Sequence, residues 1–288
     1  MQTDGASPSP APFEVVRALA PGPVVLEIPH AGVHLDACHL VPLRIPAQAL
    51  EAGAPFADSD VGAALMWEGS ERAGATRVVA RLSRYVVDLN TEPRLPTDYE
   101  DKLPPGLGDR RVRSHAGVSW WEPRRTRAEL AARYAEVLEP YHRAVASELE
   151  RARALHGVSL LVSAHTYPDG GRAGTPDVVL GTRGAASAPA PLRDALAREL
   201  AAEGLEVALE QPFPGGYALG RHAAADTFAL QLELARRLVC LPGDPTRPVV
   251  DAGAVAALRP RLARALLGPA TLELLRALAG THGSATAP

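Results

Sequence analysis

Cysteine is nearly missing from this chain: Cys38 and Cys240 are the two present among 288 residues. They stand far apart and no Cys-x-x-Cys occurs, which argues against both a thiolate metal site and a disulfide framework. Both are expected to be reduced thiols. Long apolar runs are missing as well. No stretch approaches the ~20 residues that a membrane-spanning helix needs, so no membrane role is expected. Charge of one sign is not in excess either. The formal net charge of −3 offers no electrostatic attraction to nucleic acid or to an anionic lipid surface. Met1 to Pro12 lacks the basic and hydrophobic regions of a secretion signal, and a cytoplasmic location is expected.

What is present is ordinary for a globular protein: 47% hydrophobic and 22% charged residues. Residues 1–12 are rich in Ser, Pro and Ala, and residues 281–288 are small and polar. Both ends are expected to be disordered tails flanking one α/β domain over 13–280. Within it, apolar runs suited to strands alternate with helical patterns. Strands are expected at 24–29, 75–82, 85–89, 158–164, 177–181, 205–210 and 227–234. Ser59 or Asp60 caps a helix expected to run to about Arg72. Thr126-Arg127-Ala128-Glu129 is a capping box that opens a long helix, which Pro140 should kink and Gly157 should stop. Helices are also expected over 191–203 and 252–279, the latter broken near Pro260 and Pro269. Residues 90–123 carry five prolines and read as a long loop, with Trp120 and Trp121 packing it over a site. The alternation predicts an α/β fold with a mixed, mostly parallel central sheet and helices on both faces.

Two of the apolar runs end in histidine. Val24 to Pro29 leads into His30, and Val158 to Ala164 leads into His165. In open α/β sheets ligands collect beyond the carboxyl ends of the strands, and imidazole is the commonest metal-binding side chain. Two such imidazoles with one carboxylate would make an open zinc site that keeps a place for water. Each residue also has a plainer reading: a packed histidine, or an Asp in Asp58-Ser59-Asp60 that caps a helix. Glu233 is harder to read as structural, because it sits in the apolar run Thr227 to Leu234. A buried carboxylate costs several kcal/mol unless a charge, a metal or hydrogen bonds meet it, so it is expected to have such a partner.

The order of these segments resembles the N-formylglutamate amidohydrolase (formylglutamate deformylase) family, zinc enzymes related to the metallocarboxypeptidases. The resemblance is carried by Pro29-His30-Ala31-Gly32, Asp58-Ser59-Asp60, Ser83-Arg84-Tyr85-Val86-Val87-Asp88-Leu89-Asn90, Tyr141-His142, Ser163-Ala164-His165-Thr166, Gly215-Gly216-Tyr217 and Gln231-Leu232-Glu233-Leu234-Ala235-Arg236. It spans about residues 23 to 240 and implies a zinc carboxypeptidase-like fold. It also implies one zinc per chain, or another divalent metal, on His30, Asp60 and His165, with Asp60 preferred to Asp58. Glu233 is implied as the catalytic carboxylate and Arg84 as a catalytic cation. Asn90 is implied to face substrate, and Tyr217 to sit on a mobile loop closing over it. Arg94 and Arg221 are candidates to pair with substrate carboxylates. Two positions depart from the family: Thr91 where Arg usually follows the Asn, and Ser163 where Asp often stands.

The implied reaction is hydrolysis of N-formyl-L-glutamate to formate and L-glutamate, the last step of one histidine-degradation route. A water activated by the metal would attack the formyl carbon with Glu233 as general base. Because Thr91 cannot hold a carboxylate bidentately as Arg does, the alternative is a zinc hydrolase acting on another N-acyl amino acid or a small peptide. A non-catalytic binding protein on the same fold is a further alternative. The expected partner is a small-molecule N-acyl amino acid, and the oligomeric state is not legible.

Overall fold

A computed structural model describes residues 11–35, 43–170 and 174–279. Cys38 lies outside the described residues, as do both expected tails except for residues 11 and 12. Pro12 already joins the fold, since its carbonyl accepts from the amides of Arg81 (2.9 Å) and Leu82 (3.2 Å).

Nine strands are described: β1 (Phe13–Val16), β2 (Val24–Ile28), β3 (Thr76–Ala80), β4 (Arg110–Arg113), β5 (Ser119–Glu122), β6 (Ser159–Tyr167), β7 (Val178–Gly181), β8 (Val207–Leu209) and β9 (Thr227–Ala235). Seven of them form one sheet in the order β1-β3-β2-β6-β9-β7-β8. The central run β3-β2-β6-β9 is parallel throughout, while β1 and β7 join it antiparallel. Every residue of β2, β3, β6 and β9 is buried, as a parallel sheet covered on both faces requires.

Helices α1 (Arg127–Arg133), α2 (Glu139–His156), α3 (Ala190–Ala202), α4 (Tyr217–His222), α5 (Ala252–Leu267) and α6 (Pro269–Leu278) supply the cover. Side-chain alternation sorts each strand between two cores. Val25, Leu161 and Ala229 meet Tyr141, Val145 and Leu149 of α2. On the opposite face Leu26, Leu160 and Leu230 meet α3 and α5 through Leu192, Leu196 and Leu262. The expected α/β sheet with helices on both faces is what forms.

Several local expectations are corrected. Residues 85–89 form turns rather than a strand: Val86, Val87 and Leu89 are buried there without ladder pairing. The helix expected from residue 60 to 72 is two short pieces, Ala63–Met66 and the 3-10 turn Ser70–Ala73, and neither has a side-chain cap. The 90–123 segment holds a short helix at Asp98–Asp101 and the hairpin β4-β5. Trp120 packs inward while Trp121 is exposed.

The Thr126–Glu129 capping box forms. Next to Pro140 the helix widens into a π turn at Tyr134–Leu138, a usual answer to a missing N–H. Gly157 then ends α2 at φ 74°, a left-handed position that glycine takes without strain. Helix α5 runs through Pro260, which sits on the exposed side where the carbonyl it frees can meet water; the break comes at Gly268. Among the described residues no helix is long and apolar enough to cross a membrane.

Candidate active site

Strands β2, β6 and β9 run parallel, so their carboxyl ends share one edge of the sheet. His165 lies in β6 directly beside Glu233 of β9. Side chains two apart share a face, which sets Ser163 with His165 and Gln231 with Glu233. Strand β2 stops at Ile28, and His30 follows Pro29 in a turn. Asp60 comes from a loop fixed at two points. Its amide donates to the His30 carbonyl at 2.9 Å. Just past β9, the Arg236 guanidinium donates to the carbonyls of Ala57 (2.9 Å) and Ser59.

His30, Asp60 and His165 converge, with one ligand atom from each within 4.8 Å of the others, and all three are buried. His165 Nδ1 lies 2.7 Å and His30 Nδ1 3.7 Å from Asp60 Oδ2. Two imidazole nitrogens and a carboxylate oxygen are a donor set of catalytic zinc. The far ring nitrogens are engaged, as they are on metal-ligating histidines. His30 Nε2 lies 2.9 Å from Asp88 Oδ1, and His165 Nε2 lies 3.0 Å from Ser163 Oγ. The residues fit a single divalent ion.

These groups act strongly on one another by charge. Burial opposes ionisation of Asp60, yet the charges of His165 and His30 hold its carboxyl well below the usual range. Burial likewise disfavours charge on His30, but Asp88 and then Asp60 outweigh it and raise its pKa to about 9. Glu233 moves the other way. Burial first, and then repulsion from Asp60, raise its carboxyl above the ordinary value. It accepts from Gln231 Nε2 at 2.8 Å.

The sequence left two acidic residues open as the third ligand. Asp58 borders the same cavity but is engaged elsewhere, accepting from the Tyr85 hydroxyl and from the His115 amide at 2.6 Å. Asp60 alone of the pair faces both imidazoles.

His30, Asp60, His165, Glu233, Arg84 and Asn90 border one cavity of about 370 Å³. Arg84 is held there by Asp88, Nη2 to Oδ2 at 2.6 Å. Asn90 donates from Nδ2 to Gln231 Oε1 at 3.3 Å and accepts at Oδ1 from the Ala218 amide at 3.1 Å. Gly216 makes this approach possible: a Cβ there would lie 2.3 Å from the Asn90 amide atoms.

Three sequence candidates lie elsewhere. Arg94 borders an adjoining groove of about 670 Å³ and is paired with Glu100 at 2.7 Å. Tyr217 opens helix α4 instead of standing on a loop, stacks edge-on against His142, and accepts from Arg221. Arg221 is in turn paired with Glu139 at 2.7 Å. None of the three borders the cavity that holds the histidines.

Comparison with known proteins places the chain. A model of the N-formylglutamate amidohydrolase family matches residues 22–240. N-formylglutamate deformylase of Pseudomonas aeruginosa is 33% identical over 228 residues, covering 74% of this chain and 80% of the relative. The chain belongs to the N-formylglutamate amidohydrolase family. The deformylase of Pseudomonas putida is 29% identical over 227 residues, with the same 74% and 80% coverage. A crystal structure of the N-formylglutamate amidohydrolase from Ralstonia eutropha JMP134 superposes with a TM-score of 0.68 at 25% identity, covering 93% of this chain and 98% of that one. As a family member the chain is a hydrolase acting on an amide bond.

Sequence reasoning quoted Asp88, Gln231 and Arg236 within motifs but gave them no role. Asp88 buttresses His30 and Arg84, Gln231 positions Asn90 and Glu233, and Arg236 fastens the Asp60 loop. The available signal was an Asp, a Gln and an Arg within or beside apolar runs.

Proposed function

We propose that this chain hydrolyses N-formyl-L-glutamate to formate and L-glutamate, using one divalent metal held by His30, Asp60 and His165, zinc being the ion this donor set suits best. The carrying observation is the convergence of those three buried side chains with Glu233 on the edge of one cavity. When bound, zinc supplies a Lewis acid that polarises a carbonyl and acidifies water.

The remaining steps belong to the protein. Glu233, its carboxyl pKa raised by burial, takes a proton from water as oxygen bonds to the formyl carbon, and delivers that proton to the departing nitrogen as the C–N bond breaks. Arg84, oriented by Asp88, faces the cavity as a fixed cation for the developing oxyanion or a substrate carboxylate. Asn90 is held rigidly by its amide bonds to present polar contact at the cavity wall. The substrate is a small molecule that meets the protein in its aqueous compartment, which we take to be the cytoplasm.

A second reading, hydrolysis of another N-acyl amino acid, is favoured by one observation. Thr91 and Arg94 border the outer groove, and Arg94 is already committed to Glu100. Release of free amine from N-formyl, N-acetyl and N-succinyl amino acids by the zinc-loaded protein separates the two. The first reading requires N-formylglutamate to have the highest kcat/KM of the panel; a preference for any other member decides for the second.

A further inference from the structure

Glu27 occupies a position that packing alone does not explain. It lies at the centre of β2, fully buried, with neighbours Leu26 and Ile28 committed to the opposite core. Neither of its carboxyl oxygens has a hydrogen-bond partner of good geometry, and the Tyr141 hydroxyl on α2 is likewise left open. A carboxyl in such a place costs several kcal/mol, roughly, when nothing uses it. The polar groups that act on it are the hydroxyls of Ser163 and Tyr141, together with the imidazoles of His165 and His30.

The sheet register explains why Ser163 is among them. Glu27 and Ser163 are partners across the β2–β6 ladder and so share a face, and His165 lies two residues further along that face. Ser163 Oγ stands 3.0 Å from His165 Nε2. If Nδ1, which faces Asp60, is the metal-binding nitrogen, the ring's single proton resides on Nε2. Nε2 then needs an acceptor. Its other polar neighbour, Asn90 Nδ2 at 3.3 Å, is a donor, because Asn90 Oδ1 already accepts from Ala218. Ser163 Oγ is therefore the acceptor, and its own hydroxyl proton must point to something else.

We propose that Glu27 is a positioning residue of the metal site: its carboxyl oxygen accepts from the Ser163 hydroxyl, which accepts from His165 Nε2–H, so that the ring is held with the Nδ1 lone pair toward the ion it would share with Asp60. Glu27 thus does for His165, through one hydroxyl, what Asp88 does directly for His30. The inference rests on the metal reading above. Either protonation form of Glu27 leaves an oxygen able to accept, and so does the amide of a glutamine.

The test is zinc affinity, measured on the full chain by competition with a chromophoric chelator, together with the His165 imidazole N–H proton resonance in zinc-loaded protein. In Glu27→Leu, affinity is expected to fall by about 10–100-fold, as for loss of other outer partners of zinc histidines. The N–H resonance should exchange-broaden, while thermal stability does not fall. Glu27→Gln should retain both signals near wild type. Should the leucine variant fail to fold, Ser163→Ala carries the same expectation. Wild-type affinity and an unchanged resonance in Glu27→Leu, or in Ser163→Ala, would overturn this inference alone. A wild-type protein that takes up no zinc would overturn the metal reading and this inference with it.

Discussion

Replacing Arg236 with Met should disable the site from outside the cavity. The guanidinium is buried and donates to the carbonyls of Ala57 and Ser59, two of the three residues that lead into Asp60. Methionine keeps much of the apolar stem but takes the guanidinium donor from both carbonyls, leaving Ser59 with the Val61 amide at 3.0 Å and Ala57 with no donor in its place. Each lost bond to a charged donor is worth about 1.5–3 kcal/mol. Relief of the arginine's own desolvation, which lowers its pKa in the fold, offsets part of this. A net loss of about 2–4 kcal/mol is expected, read as a shift of the urea midpoint with unchanged slope. Because the released loop carries Asp60, zinc affinity should fall by about 10–100-fold in the same variant. A midpoint shift equivalent to less than about 0.5 kcal/mol, within the range of an ordinary surface substitution, would refute the clamp. So would normal zinc affinity in the folded variant.

Glu233→Gln should keep full zinc stoichiometry by elemental analysis while turnover falls by about 10²–10⁴, the usual worth of a general base; undiminished turnover would remove Glu233 from the chemistry. His165→Ala should lose the metal, and full occupancy would mean that the ligand set is different. Gly216→Ala should push Asn90 aside, since the added carbon would sit 2.3 Å from its side chain, and is expected to lower kcat/KM with little change in zinc content. Stability should also fall in mild acid. His142 and His222 are buried against each other, 2.9 Å apart, and burial lowers their pKa values to about 4 and about 3. Both lie below the ordinary 6.5, so the unfolded chain takes up protons first. The pair therefore leaves stability unchanged above about pH 6.5, and erodes it below that by up to about 1.4 kcal/mol per group per pH unit until the folded pKa values are passed. Urea titrations from pH 7 to 4.5 should show this slope in wild type and a shallower one in His142→Gln.

The sheet was legible because its strands are buried on both faces and read as near-continuous apolar runs; β2, β6 and β9 announce themselves this way. The histidines at their ends and Glu233 stood out as polar groups where burial forbids idle ones. Residues 85–89 misled because Val86, Val87 and Leu89 have strand-like composition. They are apolar to fill the core beneath a turn, and the turn lets Arg84 and Asn90 reach the cavity edge. Tyr217 and Arg221 illustrate another limit. Their partners, His142 and Glu139, lie on α2 far away in the chain, and no local pattern reports a contact of that separation. Glu27 was read as one member of an apolar strand, because only the register with Ser163 gives it a reason to be there.

The cluster of His30, Asp60 and His165 draws on three stretches of chain that lie far apart in sequence. An ion seated among them is thus a clasp on the whole topology: ligand that binds only the native form adds RT ln(1 + [L]/Kd) to stability. Stripping it with a chelator should lower the melting temperature of the entire molecule in one cooperative step, and no proteolytic fragment lacking β6 would retain it.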